Sequence, residues 1–431
     1  MKTLQWNRLS EAERAAALAR PQQRIDAALR SSVARIVEEV RVGGWGALCA
    51  ASLGIDGAEP LLVGVAPAAA KARLTLSTDQ VAAIELAARN IRTFHEASVP
   101  GDVDVETAPG LTVAKVWRAI DRVGLYVPGG KTPLFSTLLM LGIPAQVAGV
   151  GEIVAVTPPR PDGSLDPLIA FAAELCGIEK IWTVGGAQGI AALAFGAGDI
   201  PKVDKICGPG NAWVAEAKRM VASLPGGPAI DMPAGPSELL VIADDCADPR
   251  VVAADLLSQA EHDAGAQVIL VTPSGRLAET VAQAVEAQLA DLPRSDIARA
   301  SLASARLIVV ADLQESVAIA NLYAPEHLSL AVENACSLVP AVRNAGAVFA
   351  GPLAAETFGD YIAGSSHVLP TDGAARAWGG VSAYTFLKAM SVQTVAPEAV
   401  RSVAAPAAAL ARLEQLEAHA RAADARLELM R

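Results

Sequence analysis

Two short polar stretches in the second half of the chain carry residues that can exchange protons. The stretch YAPEHL places Glu326 directly before His327, and SQAEHD places Gln259 three residues before His262. A carboxylate beside an imidazole can divide general acid and base work near neutral pH, because the ordinary pKa of an imidazole is about 6.5. A polar helix end would give the same residues, so the pair alone leaves both interpretations open.

Residues of the same kinds could also hold a divalent metal ion. Gln259 and His262 share one face of a predicted helix, Asp360 lies in a predicted glycine-flanked turn, ETFGDYIAG, and Glu414 and His419 lie on the predicted tail helix, in LEQLEAHAR. A set of nitrogen and oxygen ligands without cysteine suits Zn²⁺, Mn²⁺ or another borderline ion. The ligand types therefore do not choose the metal, and each residue alone is also typical of a solvated helix.

The end of the chain is predicted to lead away from the rest. The stretch VAPEAVRSVAAPAAAL is rich in proline and alanine and lacks the alternation of a strand, so we interpret it as a connector to a final charged helix. On one helix, Glu414 and His419 would be offset by about 140°, because successive residues are ~100° apart.

Two glycine turns could bind a dinucleotide. IWTVGGAQGIAAL has the strand–turn–helix context, yet Val184 stands where the first glycine of G-x-G-x-x-G belongs, and the next strand, in VDKICGPG, does not end in an acidic residue. CGPGNAWV is a second tight turn between a strand and a helix. Such turns also occur for packing alone, so the residues leave dinucleotide binding open.

Apolar runs that alternate with Ala/Leu-rich stretches predict an α/β fold of two doubly wound, incomplete Rossmann-like parallel-sheet modules. A capping box at Ser10 and Glu13 opens a helical N-terminal arm, and a helical tail ends the chain. The predicted strands are GEIVAVTPP, IEKIWTVGG, VDKICGPG, SELLVIADD, AQVILVTPS and ARLIVVADL. The predicted units are an arm (1–25), an α/β module (26–123 plus 238–385), an inserted α/β module (124–237) and a tail (386–431).

Composition excludes several classes of protein. The chain has 431 residues and a net charge of −11, which argues against sequence-independent binding of nucleic acid. The five cysteines are scattered and never form C-x-x-C, so we expect neither a disulfide framework nor a thiolate zinc site, and a reducing cytosol. No secretory signal is expected. The uncharged residues 132–151 are interpreted as a short buried helix, a turn at Gly142–Pro144 and a buried strand, not as a membrane span.

Taken together, the motifs point to one family. SQAEHD, YAPEHL, FGDYIAGSSHVLPT, VGGAQGIAALAFG, CGPGN and DMPAGPSE occur in order, and as a set they resemble histidinol dehydrogenase. The resemblance implies a cytoplasmic, NAD-dependent enzyme that oxidises L-histidinol through L-histidinal to L-histidine, the last two steps of histidine biosynthesis. It also implies a homodimer in which the tail is exchanged between subunits.

The resemblance further assigns the site residues. Glu326 would activate water and His327 would accept protons, so the pair would serve as the catalytic bases. One Zn²⁺ per subunit would be held by Gln259, His262, Asp360 and, from the other subunit, His419. The NAD contacts would be Tyr126, Gln188 and Asn211. The substrate contacts would be Ser237, Gln259, His262, His327, Asp360, Glu414 and His419.

Some alternatives and two histidines remain. A metallohydrolase could use the same ligand types, a two-module α/β scaffold could be a binding protein, and the aldehyde step could use a thiohemiacetal on Cys207. His95 is expected to be a solvated helix residue. His367 lies close in sequence to Asp360, where it could contact the substrate.

Overall fold

The computed structural model describes residues 1–21, 27–129, 133–233 and 235–430. The strands are β1 (Lys2–Gln5), β2 (Leu62–Gly64), β3 (Val103–Ala108), β4 (Leu111–Ala119), β5 (Arg122–Tyr126), β6 (Glu152–Thr157), β7 (Lys180–Thr183), β8 (Lys205–Cys207), β9 (Ala229–Ile230), β10 (Glu238–Ala243), β11 (Gln267–Thr272), β12 (Arg306–Val309), β13 (His327–Ala331), β14 (Ala347–Ala350) and β15 (Leu387–Val395).

The helices fill the intervals between these strands and the tail. They are α1 (Glu11–Ala17), α2 (Ala27–Ile55), α3 (Val65–Thr75), α4 (Thr78–Ala97), α5 (Phe135–Val147), α6 (Pro167–Leu175), α7 (Gly186–Phe195), α8 (Ala212–Ala222), α9 (Pro249–Ala260), α10 (Gly275–Leu289), α11 (Ser295–Leu302), α12 (Leu313–Tyr323), α13 (Ala335–Leu338), α14 (Glu356–Tyr361), α15 (Pro397–Leu413) and α16 (Glu417–Glu428). The predicted capping box at Ser10 and Glu13 is present at the start of α1.

Two six-stranded sheets form the body of the molecule. Sheet I has the order β1-β12-β11-β10-β13-β14 and is parallel throughout, and sheet II has the order β2-β7-β6-β5-β8-β9. Alternate residues of β10 enter different cores: Leu239 packs with α9 and α10, whereas Leu240 packs with α12. Helices therefore cover both faces, and the predicted doubly wound α/β class is confirmed. The arm adds a feature that we did not predict, since β1 joins the edge of sheet I.

The N-terminal third packs differently from our expectation. We expected residues 26–123 to join the module of 238–385, but β2 pairs antiparallel with β7 at the edge of sheet II. Helix α2 packs on α7 and α8, and α3 packs on α6. Short apolar segments such as LLVG carry no signal for which sheet edge they join, so tertiary packing decides. Residues 22–26, at the end of the predicted arm, lie outside the described residues.

The predicted turn at Gly142–Pro144 is wrong, because α5 runs through both residues to Val147. Proline costs the helix one hydrogen bond, but every residue from Ser136 to Ala145 is buried, and that packing outweighs the loss. A Cβ on Gly142 would lie 2.8 Å from Cys176 Sγ, so this glycine serves close helix packing. The buried strand expected at the end of the stretch is also wrong, because α5 extends to Val147 and the next strand, β6, begins at Glu152. Thr132, at the start of the stretch, lies outside the described residues.

The tail also differs from the predicted connector. A third, antiparallel sheet, sheet III, has the order β15-β4-β3, and the supposed connector forms helix α15. Alanine has the highest helix propensity, and Pro397 occupies the first turn, where proline is tolerated. The chain then turns at Gln415, whose φ is 61°, so Glu414 and His419 belong to different helices. The expected offset of about 140° on one helix is therefore wrong.

No helix in the described parts of the chain is both long and apolar enough to cross a membrane. The described part of the uncharged stretch 132–151 consists mainly of the buried helix α5.

His95 is buried, contrary to our expectation of a solvated residue. It is 0% exposed, and neither ring nitrogen has a hydrogen-bond partner in the described residues. Burial lowers the pKa of His95 to about 4. The folded protein thus holds this imidazole neutral in a range where the unfolded chain would protonate it.

We predict that His95 destabilises the fold under acid conditions. The folded-state pKa is depressed, so the stability contributed by neutral His95 is complete above pH 6.5 and is lost as pH falls from 6.5 toward 4. The loss should reach up to about 3 kcal/mol, since one pKa unit corresponds to ~1.4 kcal/mol. Unfolding free energies of wild type and His95→Leu, measured from pH 8 to 4.5, should diverge by this amount. Parallel pH profiles would contradict the prediction.

Candidate active site

The Glu326–His327 pair lies at the amino end of strand β13. Helix α12 ends at Tyr323, Ala324 takes a left-handed conformation with φ 55°, and Pro325 leads into the pair. β13 pairs with β10 so that His327 is opposite Leu239. The pair is thus fixed between a helix end and a parallel strand, and both side chains are buried.

The backbone of Glu238, at the start of β10, contacts both members of the pair. Its N–H donates to Glu326 Oε2 at 2.9 Å, and its carbonyl oxygen lies 3.1 Å from His327 Nδ1. Gln259 Oε1 also lies 3.1 Å from His327 Nδ1. With two oxygens as neighbours, Nδ1 carries the proton and donates, and Nε2 is the free base of the neutral ring. Nε2 has no hydrogen-bond partner in the described residues.

A third carboxyl group, which the sequence analysis missed, joins the site. The turn expected at Asp360 is wrong, because Glu356 and Asp360 lie on helix α14, four residues apart and hence on one face. Ligand atoms of His327, Glu356 and Asp360 all lie within 4.8 Å of one another. Asp360 Oδ1 is 3.5 Å from His327 Nε2, and Glu356 Oε2 is buried without a hydrogen-bond partner in the described parts of the chain. The i,i+4 spacing to Asp360 was the signal that could have revealed Glu356.

The charges of the cluster perturb each other strongly. Burial raises the pKa of Glu326 to about 7 and that of Glu356 to about 8. Burial alone would lower the pKa of His327, but the surrounding carboxylates of Glu326, Glu356 and Asp360 outweigh it and raise that pKa to about 10. The His327 imidazole in turn helps to hold the pKa of Asp360 below its ordinary value, although burial opposes this. Protons are therefore shared within the cluster near neutral pH.

Two of the predicted metal ligands lie at the end of helix α9. Gln259 is buried, and its Nε2 lies 3.1 Å from Nδ1 of the exposed His262, just beyond the helix end. Because Gln259 contacts both imidazoles, the structure brings Gln259, His262 and His327 together, with Asp360 beside His327. This part of the predicted constellation is contiguous within one chain.

The tail residues are separate from this cluster in one chain. Glu414 and His419 are exposed, Glu414 at the end of α15 and His419 on α16. His419 does not belong to the group of acidic and imidazole side chains that the described residues bring close enough to share an ion. Ser237 is half-buried just before β10 and lines a cavity of about 260 Å³.

His367 connects the cluster to the other sheet. Its Nδ1 lies 3.0 Å from the carbonyl oxygen of Asp360, and its Nε2 lies 3.1 Å from Thr137 Oγ1 on α5. Helix α5 follows β5 of sheet II. The imidazole of His367 therefore has a partner on each side, one in the Asp360 segment and one at the carboxyl edge of sheet II.

The predicted cofactor residues lie at the carboxyl ends of neighbouring strands of sheet II. Tyr126 ends β5, Gln188 lies in the first turn of α7 after β7, and Asn211 follows β8. Tyr126 accepts from the N–H of Gly186 at 3.2 Å through its hydroxyl oxygen. Asn211 is exposed and caps α8 through its side-chain oxygen, which accepts from Trp213 and Val214.

Gln188 has a partner that the sequence did not predict. Asp56, at the end of α2, accepts from Gln188 Nε2 at 3.0 Å and from the N–H of Gly185 at 3.2 Å. Gln188 Oε1 is buried and has no partner in the described residues. The carboxylate of Asp56 thus fixes the direction of the amide and leaves its oxygen available.

The second glycine turn is braced tightly against Tyr126. Gly208 has φ 128°, and a Cβ there would lie 2.1 Å from the carbonyl oxygen of Tyr126. A buried ion pair holds the turn: Asp231 accepts from the Gly208 N–H, and Lys218 donates to the Gly208 carbonyl oxygen, both at 2.7 Å. Cys207 beside this turn is fully buried, and burial raises the pKa of its thiol. A protonated, enclosed thiol is a poor nucleophile.

Comparison with known proteins gives one consistent result. The histidinol dehydrogenase family model matches residues 18–427. The chain is 48% identical over 428 residues to a histidinol dehydrogenase of Xanthomonas axonopodis pv. citri, covering 99% of each chain. It is 46% identical over 431 residues to that of Salmonella typhimurium, covering 99% of this chain and 98% of the other. A crystal structure of histidinol dehydrogenase from Elizabethkingia anophelis superposes with a TM-score of 0.95 at 40% identity, over 100% of this chain and 98% of that one.

Proposed function

The chain belongs to the histidinol dehydrogenase family, and we propose that it oxidises L-histidinol through L-histidinal to L-histidine, passing two hydrides to two NAD⁺ in one site. These are the final steps of histidine biosynthesis. The observation that carries the proposal is the buried His327, whose Nδ1 is held by Glu238 and Gln259, while its Nε2 lies 3.5 Å from Asp360 Oδ1 and has no hydrogen-bond partner among the described residues.

His327 is the base for the oxidation of the alcohol. As hydride leaves the carbinol carbon for NAD⁺, the hydroxyl proton must leave as well, and Nε2 of His327 can accept it when the imidazole is in its neutral form. The carbonyl of Glu238 then stabilises the resulting imidazolium through Nδ1–H, in the way that an oriented acceptor supports a catalytic histidine. The products of this step are L-histidinal, NADH and one proton.

Glu326 serves the second oxidation. The aldehyde must add water before it can lose another hydride, and Glu326, fixed by the N–H of Glu238, can remove a proton from that water. The pKa of Glu326, raised by burial to about 7, suits such a base. The proton held by Glu326 returns to the former carbonyl oxygen and completes the gem-diol. His327, having released its first proton to solvent, takes one hydroxyl proton of the gem-diol as the second hydride leaves, which yields the carboxylic acid.

The cluster also fits a divalent cation, which we propose to be Zn²⁺. Three carboxyl groups surround one imidazole, and His327 Nε2 and Glu356 Oε2 are buried without a partner in the described part of the chain. Ligand atoms of His327, Glu356 and Asp360 lie within 4.8 Å of one another, and Gln259 contacts both His327 and His262. The ligands of the ion would be Gln259, His262, Asp360 and His419 of the partner subunit. A bound Zn²⁺ would orient the amine and imidazole of the substrate and lower the pKa of the adjacent His327.

NAD⁺ is the hydride acceptor that we assign to the carboxyl edge of sheet II. The N–H groups of Gly185 and Gly186, at the start of α7, are already bonded to Asp56 and Tyr126. Binding through the side chains of Tyr126, Gln188 and Asn211 is therefore favoured over a phosphate at the helix terminus. The unpartnered Gln188 Oε1 supports this, because a buried acceptor is stabilised by a ligand donor.

We also propose a homodimer in the cytoplasm. Glu414 and His419 are exposed in the tail, where they can reach a partner subunit's substrate and metal, respectively. Ser237, Gln259, His262, His327 and Asp360 would supply the remaining substrate contacts from one chain. Five free cysteines suit a reducing compartment.

We predict two NADH per L-histidinol from the metal-loaded enzyme. Each of the two oxidations releases one hydride, so absorbance of NADH measured at limiting substrate should give a ratio of two. Chelation should abolish turnover and Zn²⁺ should restore it, because the substrate would lose its orientation. A ratio of one would contradict the second oxidation. Absence of any NADH would favour a metallohydrolase, and full activity after chelation would exclude the metal's role.

The two half-reactions should respond differently to Glu326→Gln. We expect oxidation of L-histidinal to fall by about 10²–10⁴-fold, the usual contribution of a general base, while oxidation of L-histidinol to the aldehyde falls much less. Single-turnover assays that start from each substrate make the measurement. Glu333→Gln, an exposed carboxylate beyond the other end of β13, is the matched control. Equal losses in both half-reactions would assign Glu326 a shared or structural role.

Complementation should reveal exchange of the tail. His262→Asn and His419→Asn homodimers should both be nearly inactive, whereas a mixed dimer should form one complete site and recover about half of wild-type activity. If each tail served its own chain, the mixed dimer would stay inactive.

A second mixed dimer provides the control for complementation. Here the wild-type chain is paired with a chain that carries both His262→Asn and His419→Asn. This dimer should be inactive if tails are exchanged and half-active if they are not. Purification through two different affinity tags establishes that each mixed dimer has formed.

A further inference from the structure

Arg20, from the N-terminal arm, donates several hydrogen bonds to residues next to the catalytic pair. Its Nε donates to Glu238 Oε1 at 2.5 Å and its Nη2 to Glu238 Oε2 at 2.9 Å. The guanidinium carbon also lies 4.0 Å from the centre of the Tyr323 ring. A two-pronged arginine–carboxylate pair stacked on an aromatic ring fixes orientation as well as distance.

The same guanidinium reaches the other segment that carries the pair. Its Nη2 donates to the carbonyl oxygens of Tyr323 at 2.9 Å and Ala324 at 3.3 Å, which immediately precede Pro325 and Glu326. Arg20 therefore bonds the start of β10 and the approach to β13 at once. The Glu238 backbone, in turn, bonds Glu326 and His327.

Backbone strain converges on this ion pair. Among the described residues, three that are not glycine have positive φ, namely Ala324, Asp372 and Gln415. The first two are bonded to the pair: Ala324 through its carbonyl, and Asp372 through an N–H that donates to Glu238 Oε1 at 2.9 Å. Strained conformations persist only where surrounding contacts over-determine them, and they cluster at functional sites.

We propose that Arg20 is a positioning residue for the catalytic pair, acting through the Glu238 side chain and the carbonyls of Tyr323 and Ala324. The arm thereby sets the placement of Glu326 and His327 without touching the substrate. This inference rests on the proposed roles of those two residues. Its chemical consequence is that loss of the guanidinium lets both bases shift while the cofactor contacts and the substrate contacts other than His327 stay intact.

Kinetics of the metal-loaded, full-length enzyme test the proposal. Arg20→Ala should lower kcat by about 100-fold, the cost of roughly 1 Å of misplacement, with little change in KM for L-histidinol or NAD⁺. Millimolar guanidinium should restore at least a tenth of wild-type kcat, because the side chain lines a cavity of about 260 Å³ whose other lining residues include the exposed Asp372. Arg20→Lys keeps the positive charge but cannot form the two parallel hydrogen bonds of the guanidinium, so its kcat should lie between those of Arg20→Ala and the wild type.

Arg14→Ala is the matched control, since Arg14 belongs to the same arm, lies 5.2 Å from the Trp6 ring centre and donates to the Trp6 carbonyl oxygen. It should keep wild-type kcat and show no response to guanidinium. If Arg20→Ala does not fold, Arg20→Lys is the test instead, and it should likewise lower kcat with little change in KM. Wild-type kcat in a folded Arg20 variant, or parallel changes of kcat and KM without rescue, would overturn the proposal.

Two further variants separate this inference from the function on which it rests. Glu326→Gln and His327→Asn should each lose activity if the proposed roles are correct. Should both stay fully active, the proposed function fails, whatever Arg20 does. Should both lose activity while the Arg20 variants match Arg14→Ala, only the positioning role is wrong.

Discussion

Confinement of four ionisable groups to one buried volume is the constraint on which the site depends. His327, Glu326, Glu356 and Asp360 are each at most 8% exposed. An isolated buried carboxylate costs several kcal/mol, so the cluster is stable only if protons, hydrogen bonds or a cation neutralise it. The raised pKa values of Glu326 and Glu356 reflect this excess of buried negative charge. His327 Nε2 and Glu356 Oε2 also have no hydrogen-bond partner among the described residues. The proposed proton transfer and the proposed cation binding are therefore two responses to a single electrostatic arrangement.

Strand register makes this arrangement reproducible. The β10–β13 ladder begins with Leu239 opposite His327. The backbone N–H and carbonyl oxygen of Glu238 therefore lie just before the first paired residues. They are free to bond the side chains of Glu326 and His327 instead of another strand. Sheet I thus presents its bases at the amino ends of its strands, whereas sheet II presents glycine turns at the carboxyl ends, where open α/β sheets commonly bind ligands. The two edges supply different chemistry.

Sequence reasoning succeeded where local patterns are strong and failed where packing decides. Buried strands such as β10 and β11 are continuous apolar runs, and Gln259, His262 and His327, from the QAEH and EH stretches, lie in contact in the structure. By contrast, α5 passes through Pro144 because tight burial overrides a local breaker, and α15 forms in a stretch whose prolines suggested a connector. Asp56 was missed because its partner Gln188 is 132 residues away, beyond the range of any spacing argument.

Two oxidations in one site require the hydride acceptor and the base to be held in fixed relation, and the link between the sheets meets that requirement. His367 bonds the carbonyl of Asp360 on one side and Thr137 of α5 on the other. Its backbone N–H also donates to the sulfur of Met140, one turn further along α5. Helix α5 is buried along nearly its whole length, so it cannot shift without disturbing the core of sheet II. The proposed cofactor edge and the acidic cluster are therefore parts of one rigid framework, which suits the proposed use of one base in both hydride transfers.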